Sequence, residues 1–272
     1  MTTRFAPSPT GHLHLGHAFA AMVAFKRAQQ SGGDFLIRYE DIDHTRVRKE
    51  YYAQIKEDLN WLEIHWKREP WSQLDRIEHY TRALTRLKEL GVIYPCLCTR
   101  REIESELANF TNAPQGPEGP LYPGTCREGP KKPLGNTTPA WRLNAKKAIS
   151  LTGPLTFSDR IHGEIAVQGE LLGDLILARK DIGTSYHLAV VVDDAAQNID
   201  LVTRGDDLLS ATHVHRVLQK LLKLPEPEYE HHRLILDHKG KRLAKRDDAL
   251  SLKTLRENGA QPEELLASLQ PI

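Results

Sequence analysis

The stretch RFAPSPTGHLHLGHA, from Arg4 to Ala18, decides how the rest of the chain is read. It reads as a short strand over Arg4 to Ala6, a loop broken by prolines and Gly11, and a helix that begins at His14, Leu15, Gly16 and His17. A glycine at a helix entrance lets a ligand approach the backbone closely. The helix start also offers unsatisfied N–H groups and the positive end of its dipole to phosphate. Two imidazoles at the same place add hydrogen-bond donors. Seen alone, His-x-Gly-His at a helix start is more often a cap or a surface pair than a phosphate site. Position and company favour phosphate here: the motif follows a strand at the extreme N-terminus, and a basic run, KRLAKR at Lys241 to Arg246, stands near the other end. A nucleotide is the expected ligand.

Outward from this stretch, strands and helices alternate. A helix over His17 to Gln30 ends at Ser31-Gly32-Gly33, and Phe35 to Tyr39 is a buried-looking strand followed by Glu40. Helices over Arg46 to Leu62 and Leu74 to Leu90 come next. The order predicts an α/β fold whose parallel sheet carries helices on both faces. From Pro95 to Pro139 the chain is crowded with Pro, Gly, Asn and Thr, which marks a loop-rich insertion. Beyond it the pattern gives strands in Phe157 to Gln168 and Asp174 to Arg179, and a helix over Tyr186 to Ala196. The strand Ile199 to Thr203, a helix over Leu209 to Leu222, and the strand Arg233 to Leu236 then lead into the basic loop. The expected organisation is 1–94 and 181–246 as two halves of one catalytic domain, 95–180 as a connective insertion, and 247–272 as a short helical tail. In such sheets ligands sit beyond the carboxyl ends of the strands, where the strand order reverses.

Composition narrows the class. With 272 residues, the chain can bury a substantial core. Lys+Arg 37 against Asp+Glu 36 leaves a formal net charge of +1, so any nucleic-acid surface must be a local patch. The N-terminus shows no signal segment and no apolar run is long enough to cross a membrane, and 3 cysteines argue against a secreted disulfide framework. A cytoplasmic, monomeric enzyme without membrane contact is expected.

HLGH and the run Arg242-Leu243-Ala244-Lys245-Arg246 together resemble the HIGH and KMSKS signatures of class I aminoacyl-tRNA synthetases. Arg4 to Gly11 is similar to the glutamyl and glutaminyl subgroup of that class. The resemblance implies a Rossmann-like, doubly wound fold in two halves around a connective insertion. It implies ATP with Mg as a substrate, with His14, Gly16, His17, Arg242 and Lys245 around the nucleotide. Arg242 stands where the family most often has Lys, and Ala244 replaces the usual Ser; Lys245 is retained. Carboxylate attack on the α-phosphorus needs no protein base, so His14, His17 and Lys245 are expected to supply alignment and positive charge.

The second ligand implied is L-glutamate, whose two carboxylates need cations and whose amine needs an anion. Arg4, Arg204 and Glu40 each end a predicted strand and are expected at one sheet edge; a guanidinium suits bidentate recognition of carboxylate. Tyr186, opening a helix after Gly183-Thr184-Ser185, can donate its phenol. The resemblance places Phe5, Ala6, Pro7 and Ser8 around the same ligand. Which arginine serves which carboxylate is left open by the sequence.

Cys96-Leu97-Cys98 and Tyr122-Pro123-Gly124-Thr125-Cys126 put three thiols in the insertion, which suggests a structural zinc site lacking one ligand. Pattern alone nominates histidine or water as the fourth. Resemblance to the glutamyl-queuosine tRNA(Asp) synthetases implies Tyr122, with Cys96, Cys98 and Cys126. After Arg246 only a short tail remains, where a glutamyl-tRNA synthetase continues into an anticodon-binding body. The same resemblance implies tRNA-independent activation of glutamate and its transfer to queuosine in the anticodon loop of tRNA(Asp). Rival readings are a minimal synthetase charging the 3′ end of tRNA, an RNA binder without catalysis, and a glutamate- or adenylate-sensing regulator. Lys131, Lys132, Lys146 and Lys147 fit an RNA backbone or a solvated face equally well.

Overall fold

The computed structural model describes residues 1–108, 115–116, 119–235 and 251–269. Lys245, Arg242 and the whole basic run from Lys241 to Arg246 lie outside the described residues. The first half runs β1 (Thr3–Phe5), α1 (Leu15–Gln30), β2 (Phe35–Tyr39), α2 (Lys49–Trp61), β3 (Trp71–Ser72), a 3-10 turn at Leu74–Arg76, and α3 (Ile77–Glu89). Every residue of β1 and β2 is buried, as strands covered on both faces must be. These strands pair in parallel in the order β1-β2-β3. Helix α1 turns Phe19, Met22 and Val23 inward, and the Thr3 hydroxyl donates to the Ala24 carbonyl at 2.7 Å to lock strand to helix.

In the middle, β4 (Ile93–Cys96), α4 (Arg100–Leu107), the two-residue strands β5 (Gln115–Gly116) and β6 (Gly119–Pro120), β7 (Ala140–Leu143) and α5 (Ala145–Thr152) follow. Helix α4 corrects the reading of this segment as loop. Thr99 and Glu102 form a reciprocal cap that starts it despite its poor apolar pattern. The hairpin β8 (Thr156–Asp159) and β9 (Gly163–Ala166), then β10 (Ile176–Ala178), precede α6 (Tyr186–Ala196), β11 (Leu201–Gly205), α7 (Leu209–Leu222) and β12 (Glu228–His232). Short helices α8 (Leu252–Glu257) and α9 (Pro262–Ser268) close the described chain. No helix among the described residues is long and apolar enough to cross a membrane.

The second set of strands runs β11-β12-β8-β9, with β11, β12 and β8 parallel. It abuts β1: Asp200 and Leu201 amides donate to the Thr2 carbonyl at 3.0 and 3.3 Å, and Arg4 reaches the Thr203 carbonyl two residues further on. Contacts that advance together along both strands mean that they run in the same direction. The carboxyl ends of β1, β2 and β11 therefore open on one side. The strand read at Arg233 to Leu236 is corrected: Leu236 lies outside the described residues, 233–235 are not in a strand, and the strand is instead Glu228–His232. Its polar residues can be buried because partners meet them there: Asp159 binds His231 and Arg27 binds Glu230.

The tail returns to the N-terminal motif. Leu252 N–H donates to the Leu13 carbonyl at 2.8 Å, and Ser251 forms an isolated antiparallel bridge with His14. Arg256 pairs with Glu57 and Asp58 on α2, while the side chain of Arg233 donates to the Leu269 carbonyl. Leu252 and Leu269 join the hydrophobic core built around α1.

Candidate active site

At the shared edge of the strands lies a cavity of about 330 Å³, within the size range of small-ligand sites. All eleven described residues expected around the nucleotide and the amino acid line it: Arg4, Phe5, Ala6, Pro7, Ser8, His14, Gly16, His17, Glu40, Tyr186 and Arg204. Local structure explains the convergence. The loop after β1 crosses the end of β2, where the Glu40 amide donates to the Pro7 carbonyl at 3.1 Å, so Ala6 to Ser8 lie beside Glu40. Gly183, at φ 77, makes the left-handed turn that delivers Tyr186 to the first turn of α6.

The imidazole pair caps α1 reciprocally. Gly16 N–H donates to His14 Nδ1 at 3.1 Å, and His14 N–H donates to His17 Nδ1 at 3.1 Å. Two nitrogens that accept must carry lone pairs, so each ring holds its proton on Nε2. Both helix-start donors and both Nε2–H groups belong to one polar entrance. At Gly16 an added Cβ would stand 3.0 Å from His14 Cε1, so the glycine is what lets the ring fold back over the helix start.

The two expected carboxylate binders differ in their surroundings. Arg4 is already engaged: its Nε meets Asp194 Oδ1 at 3.0 Å, one terminal nitrogen meets Asp194 Oδ2 at 3.3 Å, and the other donates to the Thr203 carbonyl. Arg204 touches Tyr186, Thr212, His215 and His231, all neutral. Glu40 lies 3.6 Å from Arg38, and burial lifts its carboxyl above the usual range while Arg38 and Arg4 pull it back. Burial likewise raises the Tyr186 phenol against the opposing pull of Arg204.

Several residues of the site escaped the sequence reading. Asp193 and Asp194, buried on α6, gather Arg76, Arg4 and Arg38 from the first half of the chain. Gly205, Asp207, His232 and Ile235 also line the cavity. The first pair gave a signal, since two adjacent acids in the apolar run of α6 demand buried partners. In sequence the basic loop falls between Ile235, which lines the cavity, and Ser251, which bridges to the cavity residue His14.

The thiols of Cys96, Cys98 and Cys126 also come together, all within 4.8 Å of one another. The Tyr122 hydroxyl stands 3.5 Å from the sulfurs of Cys96 and Cys98, and the Cys98 and Cys126 sulfurs are 3.5 Å apart. A tetrahedral zinc with bonds of about 2.3 Å to sulfur and about 2.0 Å to oxygen separates its ligands by about 3.8 Å (S to S) and 3.5 Å (S to O). The cluster therefore fits a metal ion with little movement. Burial raises the Cys98 thiol to about 11, while hydrogen bonds from Tyr122 and Cys98 overcome burial at Cys126 and lower it to about 7. Arg142 stacks over the Tyr122 ring at 3.8 Å. Lys131 and Lys132 pair with Glu106 and Glu102 at the surface beside it.

The family described as tRNA synthetases class I (E and Q), catalytic domain, matches residues 1–271. A Glutamyl-Q tRNA(Asp) synthetase of Rhodobacter capsulatus is 48% identical over 272 residues, covering 97% of this chain and 98% of its own. One from Nitratidesulfovibrio vulgaris is 42% identical, covering 94% and 81%. A solved glutamate-tRNA synthetase from Elizabethkingia anophelis superposes with a TM-score of 0.80 at 26% identity. The match takes in 99% of this chain but 61% of that one, so the chain spans under two thirds of the solved synthetase.

Proposed function

The chain belongs to the class I (E and Q) tRNA synthetase catalytic-domain family, and from that premise we propose that it activates L-glutamate with ATP and transfers it to queuosine in the anticodon loop of tRNA(Asp). The observation that carries the reading is one cavity in which the capped imidazole pair faces Arg204, Glu40 and Tyr186. Glutamate has a natural seating there. Arg204, whose charge no described carboxylate answers, takes the side-chain carboxylate with the Tyr186 hydroxyl. Glu40 takes the ammonium, and Arg4 steadies the edge of β1 through Asp194.

In this seating the α-carboxylate attacks the α-phosphorus and pyrophosphate leaves; both are anions and no base is required. Catalysis is alignment and charge stabilisation. His14 and His17 donate from Nε2, and Lys245 with Arg242, carried by the segment between Ile235 and Ser251, supply the cations. The adenosine lies along Gly205. An added Cβ at Gly205 would meet Asp207 Oδ1 at 2.5 Å and Leu234 Cδ2 at 2.8 Å. Gly205→Ala is therefore expected to raise the KM for ATP by about tenfold, roughly 1.4 kcal/mol, with less effect on the KM for glutamate. Equal rises in both would count against this placement.

Zinc is proposed for Cys96, Cys98, Cys126 and Tyr122, as a staple for a segment with a small core of its own. Elemental analysis should find one zinc per chain. Cys98→Ser should lower the metal content and the melting temperature while leaving glutamate affinity nearly unchanged, and full zinc retention in that variant would remove Cys98 from the ligand set.

The acceptor is tested with tRNA(Asp) that carries or lacks queuosine, in the presence of ATP and labelled glutamate. Label on the queuosine form alone, surviving periodate treatment of the 3′ terminal diol, is the expected result. Equal labelling of both forms, lost after periodate, would instead support charging of a tRNA 3′ end.

A further inference from the structure

Arg204, the last residue but one of β11, has 6% of its surface exposed. Its Nε donates to His231 Nε2 at 3.1 Å, one terminal nitrogen reaches His215 Nδ1 at 3.1 Å and the Tyr186 hydroxyl at 3.3 Å, and the other donates to Thr212. Arg4, Arg38 and Arg76 each touch an aspartate within hydrogen-bond distance. Among the described residues no carboxylate lies within 4 Å of Arg204; Asp159 stands behind the His231 ring.

The proton positions follow. A guanidinium only donates, so the ring nitrogens that it meets carry lone pairs. His231 then holds its proton on Nδ1, which donates to Asp159 Oδ2 at 2.6 Å. His215 holds its proton on Nε2, which donates to His187 Nδ1 at 3.1 Å. Burial, reinforced by the charge of Arg204, depresses His231 to about 4 and His215 well below its ordinary value, so both rings are neutral near pH 7.

We infer that His215 and His231 are positioning residues for amino-acid selectivity: as neutral acceptors they aim the Arg204 guanidinium without cancelling its charge, so that a ligand carboxylate is what cancels it. A carboxylate in place of either ring would hold Arg204 as firmly and satisfy its charge in the empty pocket. The pocket would then lose its preference for a dicarboxylic amino acid over the corresponding amide. The inference rests on the glutamate reading of the cavity.

The test compares variants of equal shape and different charge in the full chain. An Asn or Asp oxygen stands where His215 Nδ1 stands, and a Gln or Glu oxygen where His231 Nε2 stands. Amino-acid-dependent ATP–pyrophosphate exchange is measured with glutamate and with glutamine, and thermal melts confirm folding of each variant. His215→Asn and His231→Gln are expected to keep the KM for glutamate within about threefold of wild type, whereas His215→Asp and His231→Glu raise it at least about 30-fold at unchanged KM for ATP. The glutamate-to-glutamine preference falls at least about tenfold in the charged variants alone. If each charged variant matches its neutral counterpart in both KM and preference while wild type is active, the inference is overturned. Wild-type protein that shows no glutamate-dependent exchange overturns the glutamate reading, and the inference with it. Two independent positions keep the comparison decisive should one charged variant fail to fold.

Discussion

Replacing Arg204 with glutamine is expected to lower kcat/KM for glutamate in the activation step by about 10³-fold, close to 4 kcal/mol, while the KM for ATP stays within about threefold. The size follows from what the substitution leaves behind. The ligand carboxylate would enter a site whose remaining partners, Tyr186, Thr212 and two neutral imidazoles, supply hydrogen bonds but no charge. A desolvated carboxylate without a counter-ion is far more expensive than one facing a guanidinium. The nucleotide end, which the proposed seating puts at the α1 entrance and Gly205, should be little affected. Pyrophosphate exchange at varied glutamate and varied ATP separates the two parameters. A loss below tenfold would mean that Arg4 is the principal carboxylate binder, and an equal loss in both parameters would mean that the substitution has damaged the fold.

What the sequence made legible follows from how local each signal is. Phe35–Tyr39 is legible with its observed bounds because a strand buried on both faces is mostly apolar and Arg38 alone interrupts this one, and Leu209–Leu222 because its apolar residues recur at helical spacing. The strand Glu228–His232 carries no such run; it is buried through Asp159 and Arg27, partners 72 and 203 residues away that no local window contains. The reading fell instead on the apolar Leu234 and Ile235 next to it. The cavity residues were legible because Arg4 lies in β1, Glu40 directly follows β2 and Arg204 stands one residue before the end of β11, and parallel strands open on one side. Their assignment to different jobs was not legible. It depends on Asp194 reaching Arg4 and on two histidines reaching Arg204, contacts made only after the halves of the chain meet.

The same meeting of halves sets the largest expected effect on stability. Asp194, on α6, binds Arg4 at 3.0 and 3.3 Å and Arg38 at 2.7 Å, and Arg38 is fully buried. Burial alone would lift the Asp194 carboxyl, but the two guanidiniums hold it below the ordinary carboxylate range. Its contribution is therefore complete above the unfolded carboxylate pKa, about 4, and is lost as the pH falls through the depressed native value. Asp194→Ala removes one negative charge and leaves two buried cations with the remaining acids Glu40 and Asp193, at 3.6 and 3.8 Å from Arg38. Breaking a buried pair from one side costs about 3–5 kcal/mol, a large share of the stability of a domain this size. Urea unfolding at pH 7 should show this as a lower midpoint at unchanged slope, and the gap to wild type should narrow as the pH is taken below 4. Glu89→Ala, at the half-exposed pair with Arg86, should move the midpoint far less, because water screens that pair. If Asp194→Ala unfolds at the wild-type midpoint, the aspartate is a spectator and something other than this clasp joins α6 to β1 and β2.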